Sequence, residues 1–308
     1  MTHPSDSRAL PDFLRALVDD AATFPPASTP LEQAVAEHRA HLSSQYAGLV
    51  GGFVVSDVKV ADLAKVAAEH PVVEEGVTTA PERPLACNLV VTGGAGAIEP
   101  AVTWLTRSQG LELRALEFAL RDEDDLAHNA QRLVQVVDSL AGVLDDVTVF
   151  AEPPMLRGAA THGWLSALDE LAAREIHLKF RTGGLSEDLF PSAAALATCI
   201  ESSLDRELPF KCTAGLHHAV RHDDAGTGFQ HHGFLNVLLA ARVSLDGGGP
   251  EEVARVLDET DGAALASQLT ADPARATRTR TWFTSFGSCS VLEAHEDLVD
   301  LGLVEASA

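Results

Sequence analysis

The feature that most constrains the fold is a pair of short segments in the middle of the chain, residues 176–184 and 208–215. Each alternates apolar with polar residues and then runs into glycine. Alternation with a period of two is typical of a strand with one apolar face, and glycine favours a turn. A helical pattern separates the segments. They therefore predict a strand–helix–strand unit with two parallel, adjacent strands whose glycine turns lie at the same end.

Each of these strands carries a lysine on its polar face. Lys179 and Lys211 are two of only four lysines in the chain, with Lys59 and Lys65, so arginine supplies most of the positive charge. A lysine inside a strand is informative here because lysine, unlike arginine, can lose its proton and act as an amine nucleophile. We expect the two lysines to lie side by side.

Strand and helix patterns alternate along most of the sequence. The predicted strands are 49–57, 85–91, 111–120, 147–152, 176–181, 208–213, 253–257 and 281–290. Such alternation allows either a closed barrel or an open doubly wound sheet. No G-x-G-x-x-G motif follows the first predicted strand, and polar residues recur at many strand ends, so we predict an α/β fold of the (β/α)₈ TIM-barrel type.

The first residues predict helices rather than strands. Residues 10–22 and 30–42 show helical patterns, with a break at Phe24-Pro25-Pro26 between them. We therefore divide the chain into an N-terminal helical extension, 1–45, and a barrel catalytic domain, 46–308. With 46% hydrophobic residues, a chain of 308 residues can bury a full core.

Composition excludes several classes of partner. The chain has 45 acidic and 22 basic residues, a net charge of −23, so its surface repels nucleic acids and anionic membranes. It has no apolar run of about twenty residues and no signal-peptide pattern at its start, which predicts a cytoplasmic protein. Its four cysteines show no C-x-x-C pair, and we expect them to be reduced. Composition leaves a homo-oligomer open.

The strand ends supply the candidate catalytic residues, because barrel enzymes place catalytic groups at the carboxyl ends of their strands. We interpret Lys179 as a nucleophile, Lys211 and Arg181 as cations that lower its pKa from about 10.4 toward 7, and Glu152 as the acid or base. The same residues also allow a purely structural role, in which Lys179 and Glu152 form a buried ion pair.

Two glycine-rich turns are candidates for binding an anion. The turn after residue 285 precedes a predicted helix, whose N-terminus attracts negative charge, and barrels commonly bind phosphate there. The predicted phosphate-binding residues are Gly183, Gly184, Gly287, Ser288 and Ser290. A simpler interpretation makes Ser290 the helix N-cap, with Glu293 completing a capping box.

Five of the thirteen histidines are close together, at 217, 218, 222, 231 and 232. No H-x-H or H-E-x-x-H pattern accompanies them, so we assign no metal ligands. The segment 216–233 is rich in glycine and has few apolar residues, which predicts a mobile lid that brings His217 or His218 to the substrate. Cys289 is a further nucleophile in principle, but the sequence offers no evident base for it.

Three motifs together resemble the class I aldolases of the deoxyribose-phosphate aldolase type. They are Lys179 with Thr182-Gly183, Lys211 with Ala214-Gly215, and Phe286-Gly287-Ser288-Cys289-Ser290, which is similar to that family's final Phe-Gly-x-Ser-Ser strand. The resemblance implies that Lys179 forms a Schiff base and that Lys211 lowers its pKa. In that family the two lysines lie on the sixth and seventh strands, whereas here their predicted strands count as fifth and sixth.

The leading functional hypothesis is a lyase or isomerase that acts on a small phosphorylated or carboxylated carbonyl compound without a cofactor. Two alternatives stay open. In one, the same cations hold an anionic small molecule without covalent chemistry, as in a sensor. In the other, the histidine segment supports a metal-assisted enzyme.

Overall fold

Eight parallel strands close into a barrel in the computed structural model, which describes residues 10–69 and 84–306. The barrel strands are β1 (Val18–Asp20), β2 (Val50–Ser56), β3 (Leu85–Val91), β4 (Leu111–Ala119), β5 (Thr148–Glu152), β6 (His177–Arg181), β7 (Phe210–Thr213) and β10 (Phe283–Ser288). They pair in chain order, and β10 closes the barrel between β7 and β1. The predicted TIM-type barrel is confirmed.

The remaining two strands form a small antiparallel pair outside the barrel, β8 (His222–Asp223) and β9 (Gln230–His231). The helices are α1 (Leu31–Leu42), α2 (Val60–Glu69), α3 (Ile98–Arg107), α4 (Leu126–Ser139), α5 (Ala141–Leu144), α6 (His162–Ala172), α7 (Ala193–Leu204), α8 (Phe234–Leu245), α9 (Pro250–Leu257), α10 (Gly262–Ala271), α11 (Pro273–Thr279) and α12 (Val291–Asp300). Within the described ranges, no helix has both the length and the hydropathy to span a membrane.

The alternation predicted for the lysine strands determines what each face contacts. Leu178, Phe180 and Cys212 are buried in the hydrophobic core, while Lys179 and Lys211 lie on the opposite faces of the same strands. Successive side chains of a strand point to opposite sides, so the apolar residues pack against the surrounding helices and the lysines point into the barrel.

The predicted N-terminal extension is only partly correct. The second predicted helix is present as α1, which begins after Pro30. The first, over residues 10–22, is wrong, because this segment forms a 3-10 turn at Asp12–Leu14 and then β1, which pairs with β10 and β2. The barrel therefore begins at Val18, and the strand predicted as first is the second. A three-residue strand is too short to show a period of two.

The predicted seventh strand is also wrong. Residues 253–257 belong to α9, where Val253 and Leu257 are four residues apart and both fully buried. That spacing is the helical one, so the short apolar run was ambiguous in sequence. The two errors compensate in the total of eight strands. The first of them, the missed strand β1, moves Lys179 and Lys211 onto the sixth and seventh barrel strands.

Candidate active site

The two strand lysines are direct neighbours inside the barrel. Lys179 of β6 and Lys211 of β7 are register partners, as predicted. Their exposed fractions are 3% and 1%, so both ammonium groups are removed from bulk water. A buried charge is tolerated only when it is paired and hydrogen-bonded, so the surrounding carboxylates decide what these lysines can do.

Glu117 of β4 joins the two lysines. Lys179 Nζ donates to Glu117 Oε2 at 2.9 Å, and Lys211 Nζ donates to Glu117 Oε1 at 2.7 Å. The carboxylate is 2% exposed. One carboxylate therefore bridges two adjacent cations, and any change in its charge affects both.

A second carboxylate on each side completes the network. Glu152, at the end of β5, lies 2.8 Å from Lys179 Nζ through Oε2 and accepts from Arg181 Nε at 2.9 Å through Oε1. Asp19 of β1 accepts from Lys211 Nζ at 2.6 Å. The six charged groups (Asp19, Glu117, Glu152, Lys179, Arg181 and Lys211) thus sum to zero.

Asp19 is itself held by polar neighbours. Its Oδ2 accepts from the Ser285 hydroxyl at 2.7 Å, and its Oδ1 accepts from the Gly52 amide at 2.9 Å. A side chain at Gly52 would meet Asn88, since an added Cβ would lie 2.6 Å from Asn88 Oδ1. β1, β2, β3 and β10 therefore all contribute to this side of the network.

The expected lowering of the lysine pKa is contradicted. Burial alone lowers the pKa of Lys179, but Glu117 and Glu152 outweigh it and raise that pKa above its usual 10.5. Burial likewise lowers the pKa of Lys211, and Asp19 and Glu117 raise it strongly. The prediction failed because it counted the neighbouring cations and only one of the carboxylates. The Lys179–Glu152 ion pair, the structural alternative, is present.

The carboxylates respond in the opposite sense. Burial raises the pKa of Glu117, but Lys179 and Lys211 outweigh it and hold that pKa at about 2. The pKa of Glu152 is also lowered, because Lys179 and Arg181 outweigh its burial. In the resting state Glu117 and Glu152 are both more acidic than an ordinary glutamate. Both lysines carry a positive charge at neutral pH.

Two members of the network were missed as site residues. Asp19 was hidden in the predicted first helix, because the strand that carries it is only three residues long. Glu117 was visible at the end of a predicted strand, but the sequence did not indicate that it would contact both lysines. The indication available was the place of Glu117 in strand β4, which turns its side chain into the barrel.

The predicted anion-binding residues lie at the carboxyl ends of two strands: Gly183 and Gly184 follow β6, Gly287 and Ser288 are the last residues of β10, and Ser290 precedes α12. A Cβ added at Gly183 would come within 2.7 Å of the Gly215 Cα, and one at Gly184 within 2.3 Å of the Leu189 side chain. Glycine at both positions thus has a packing reason, and whether these turns bind phosphate stays a prediction. At Gly287 an added Cβ would meet only Thr213 Oγ1, at 3.5 Å.

Ser290 has the capping role that the simpler interpretation gave it. Its hydroxyl accepts from the Glu293 amide at 3.2 Å and caps α12. The predicted capping box is not formed, since the Ser290 amide donates to Ser288 Oγ at 3.2 Å rather than to Glu293. The Glu293 carboxylate instead contacts His217, with Oε2 3.0 Å from Nδ1.

The histidine segment is anchored near both of its ends. Leu216, Ala219 and His232 are fully buried. His218 Nδ1 lies 3.2 Å from the Asp297 carboxylate of α12, which also accepts from the Ala219 amide at 2.6 Å. These contacts fix the segment near its ends, and whether its exposed middle part moves as a lid stays a prediction.

The other histidines contact each other and aromatic rings. The His222 ring packs edge-on against His218 at 4.6 Å between ring centres, and His231 stacks on Phe190 at 4.5 Å. In the parts of the chain that the structure describes, no group of three or more His, Cys, Asp or Glu side chains is arranged to hold a metal ion.

Comparison with protein-family models and with curated protein sequences finds no match to this chain.

Proposed function

We propose that this protein is a class I aldolase-like lyase or isomerase that acts on a small phosphorylated or carboxylated carbonyl compound through a Schiff base on Lys179. The observation that carries the proposal is the pair of buried lysines on neighbouring barrel strands, bridged by Glu117. Their position on the sixth and seventh strands also agrees with the strand order of the aldolases that the motifs resemble.

Nucleophilic attack requires a neutral amine, so the proton on Lys179 must first move. Glu152 is the better acceptor, because its Oε2 lies 2.8 Å from Nζ and its side chain is 11% exposed, against 2% for Glu117. The amine then bonds to the carbonyl carbon, and Glu152 returns protons to the oxygen, which leaves as water. Overall, the ammonium and the carbonyl become a protonated imine and one water, and Glu152 ends as a carboxylate.

The network also suits the intermediate. A protonated imine keeps the positive charge at Nζ, so the carboxylates that stabilise the ammonium stabilise the imine as well. It has a single N–H, however, whereas the ammonium of Lys179 contacts two carboxylates. If that N–H stays on Glu117, Glu152 is released to act as acid or base on the substrate.

Arg181 is the cation best suited to an anionic substituent of the substrate. Its side chain is 36% exposed, in contrast to the buried lysines, and it binds Glu152 through Nε. A guanidinium has further N–H groups that can reach a phosphate or carboxylate. Gly183 and Gly184 after β6, and Gly287, Ser288 and Ser290 at the end of β10, stay the predicted phosphate-binding residues.

Non-covalent anion binding by the two lysines has less support. Both ammonium groups already contact two carboxylate side chains each, and the network carries no net charge. An anion placed on them would face the carboxylates of Asp19, Glu117 and Glu152 as well. Arg181 alone could hold an anion at its exposed edge.

Reduction with borohydride tests the proposal. The protein is incubated with a panel of small aldehydes and ketones that carry phosphate or carboxylate groups, reduced, digested and analysed by mass spectrometry. We expect a secondary-amine adduct at Lys179 with at least one compound, because borohydride fixes a protonated imine. Lys65, whose side chain is 69% exposed on α2, is the internal control for unspecific reductive amination.

The variant Lys179→Arg separates the covalent from the non-covalent hypothesis. It keeps the positive charge but cannot form an imine, so we expect the adduct and any turnover to disappear. A ligand that raises the melting temperature of both the wild type and this variant would then be bound without covalent chemistry. Adducts at Lys65 and none at Lys179 across the panel would contradict the proposal.

A further inference from the structure

A second cluster of reactive side chains lies at the carboxyl ends of β7 and β10, apart from the lysine network. Cys289 follows the last residue of β10, and His217 follows the turn after β7. The sulfur of Cys289 lies 3.7 Å from both ring nitrogens of His217. Glu293, in the first turn of α12, places Oε2 3.0 Å from His217 Nδ1. Thiol, imidazole and carboxylate are thus in contact in the order that activates a cysteine.

Cys289 differs from the other three cysteines in its surroundings. Cys87, Cys199 and Cys212 are buried, with at most 4% exposed, and Cys289 is partly exposed. Burial raises the pKa of Cys87 and of Cys199 to about 12, and it raises the pKa of Cys212 further. Those three thiols are protonated and inaccessible, so Cys289 is the one thiol open to a reagent.

The neighbours of His217 favour the protonated form of its ring. Burial alone lowers the pKa of His217, but contact with Cys289 and Glu293 outweighs it and raises that pKa to about 9. An imidazole that holds its proton at neutral pH stabilises a thiolate beside it. The Glu293 carboxylate, 45% exposed, contacts the ring at Nδ1, and the sulfur lies 3.7 Å from each ring nitrogen.

We propose that Cys289 is a nucleophilic thiol that forms mixed disulfides with small-molecule disulfides, with His217 as the proton acceptor and Glu293 as the residue that positions the ring. Transfer of the Cys289 proton to a neutral His217 ring gives a thiolate beside an imidazolium, and this thiolate attacks one sulfur of the disulfide. A new S–S bond forms as the original one breaks. The departing thiolate takes the proton from His217, so atoms and charge balance.

The strand pairing shows where a group attached to Cys289 would lie in the barrel. Gly287, two residues before Cys289, is a register partner of Thr213, which in turn pairs with Arg181. A group attached to Cys289 therefore lies at the same end of the barrel as Arg181. The proposal does not depend on Schiff-base chemistry, because it concerns a different side chain and is measured without substrate.

The test measures modification of the full-length, reduced protein by two neutral probes at pH 7, iodoacetamide and bis(2-hydroxyethyl) disulfide. Peptide mass spectrometry follows each cysteine over time, with N-acetylcysteine in the same tube as the reference thiol. We expect Cys289 to react first and about tenfold faster than the reference, since His217 lies next to the sulfur as a proton acceptor and the reference thiol has no such base.

Exposure alone would make Cys289 the first cysteine to react, so variants of the partner residues decide the question. His217→Gln is expected to reduce the rate to about that of the reference thiol. Glu293→Gln, which keeps the imidazole, should give an intermediate rate, and it serves as the second test if His217→Gln does not fold. His222→Gln, in the same segment, is the matched control and should stay within about twofold of the wild type.

Two outcomes would overturn the proposal. One is a wild-type Cys289 that reacts no faster than N-acetylcysteine. The other is a rate unchanged by both His217→Gln and Glu293→Gln, which would mean that only exposure distinguishes this thiol.

Discussion

Replacing Glu117 by Gln is expected to lower the free energy of unfolding by about 3–5 kcal/mol, the usual cost of breaking a buried ion pair by removing the charge of one partner. Glutamine has the same shape, so the change leaves no cavity. It removes the negative charge that Lys179 and Lys211 share, and it brings an amide group next to two ammonium groups. Urea denaturation followed by circular dichroism measures the loss.

The same strand offers a matched control. Glu112, also on β4, pairs with Arg114 at 3.0 Å, but these side chains are 42% and 60% exposed. Glu112→Gln should therefore change the stability by less than about 0.5 kcal/mol, because exposed ion pairs contribute little. Equal stability of Glu117→Gln and Glu112→Gln would show that Glu117 does not hold the two lysines.

Acid is expected to destabilise the protein through the same carboxylate. Folding lowers the pKa of Glu117 from 4.5 to about 2, although burial alone acts in the other direction, because Lys179 and Lys211 favour the ionised form. A lowered folded-state pKa contributes stability that is present above pH 4.5 and is lost as the pH falls toward 2. At neutral pH this contribution is about 3 kcal/mol.

The measurement is the free energy of unfolding between pH 6 and pH 2 for the wild type and for Glu117→Gln. The wild type should lose stability more steeply than the variant below pH 4.5, so that the two curves converge. Glu152, whose pKa is lowered in spite of its burial, stays in both proteins and contributes a common slope. Parallel curves would contradict the charge assigned to Glu117.

The barrel could be predicted because most of its strands are long enough to show a period of two between amphipathic helices. β2, β3, β4 and β6 were all recognised close to their observed bounds. β1 could not be recognised, because three residues are too few to show a period of two. Leu14, Leu17 and the strand's own Val18 also have helical spacing. What identifies β1 as a barrel strand is its pairing with β2 and β10, and β10 is far away in the sequence.

The site shows the same limit. The adjacency of Lys179 and Lys211 followed from two neighbouring segments of sequence and was confirmed. Asp19 and Glu117 are separated from Lys211 by 192 and 94 residues, so no local spacing relates them to it. Because the sign of each pKa change depends on these distant carboxylates, the pKa of Lys179 could not be predicted correctly from its own strand and its neighbour.

The partner of Cys289 was hidden for a similar reason. His217 was noted in the sequence, but 72 residues separate it from the thiol, and only the closing of β7 against β10 brings the two turns together. The capping role of Ser290, by contrast, depends on residues three apart and was predicted correctly.

The central claim is that Lys179 rests as a charged, carboxylate-bound ammonium inside the barrel. Lysine-selective ¹⁵N labelling tests it directly, because four lysines give at most four Nζ signals, and Lys179→Arg identifies one of them. Glu117 and Glu152 overcome the effect of burial and raise the pKa of Lys179, so we expect its signal to remain that of an ammonium as the pH passes 10.5. A neutral amine signal for Lys179 near pH 7 would contradict the account.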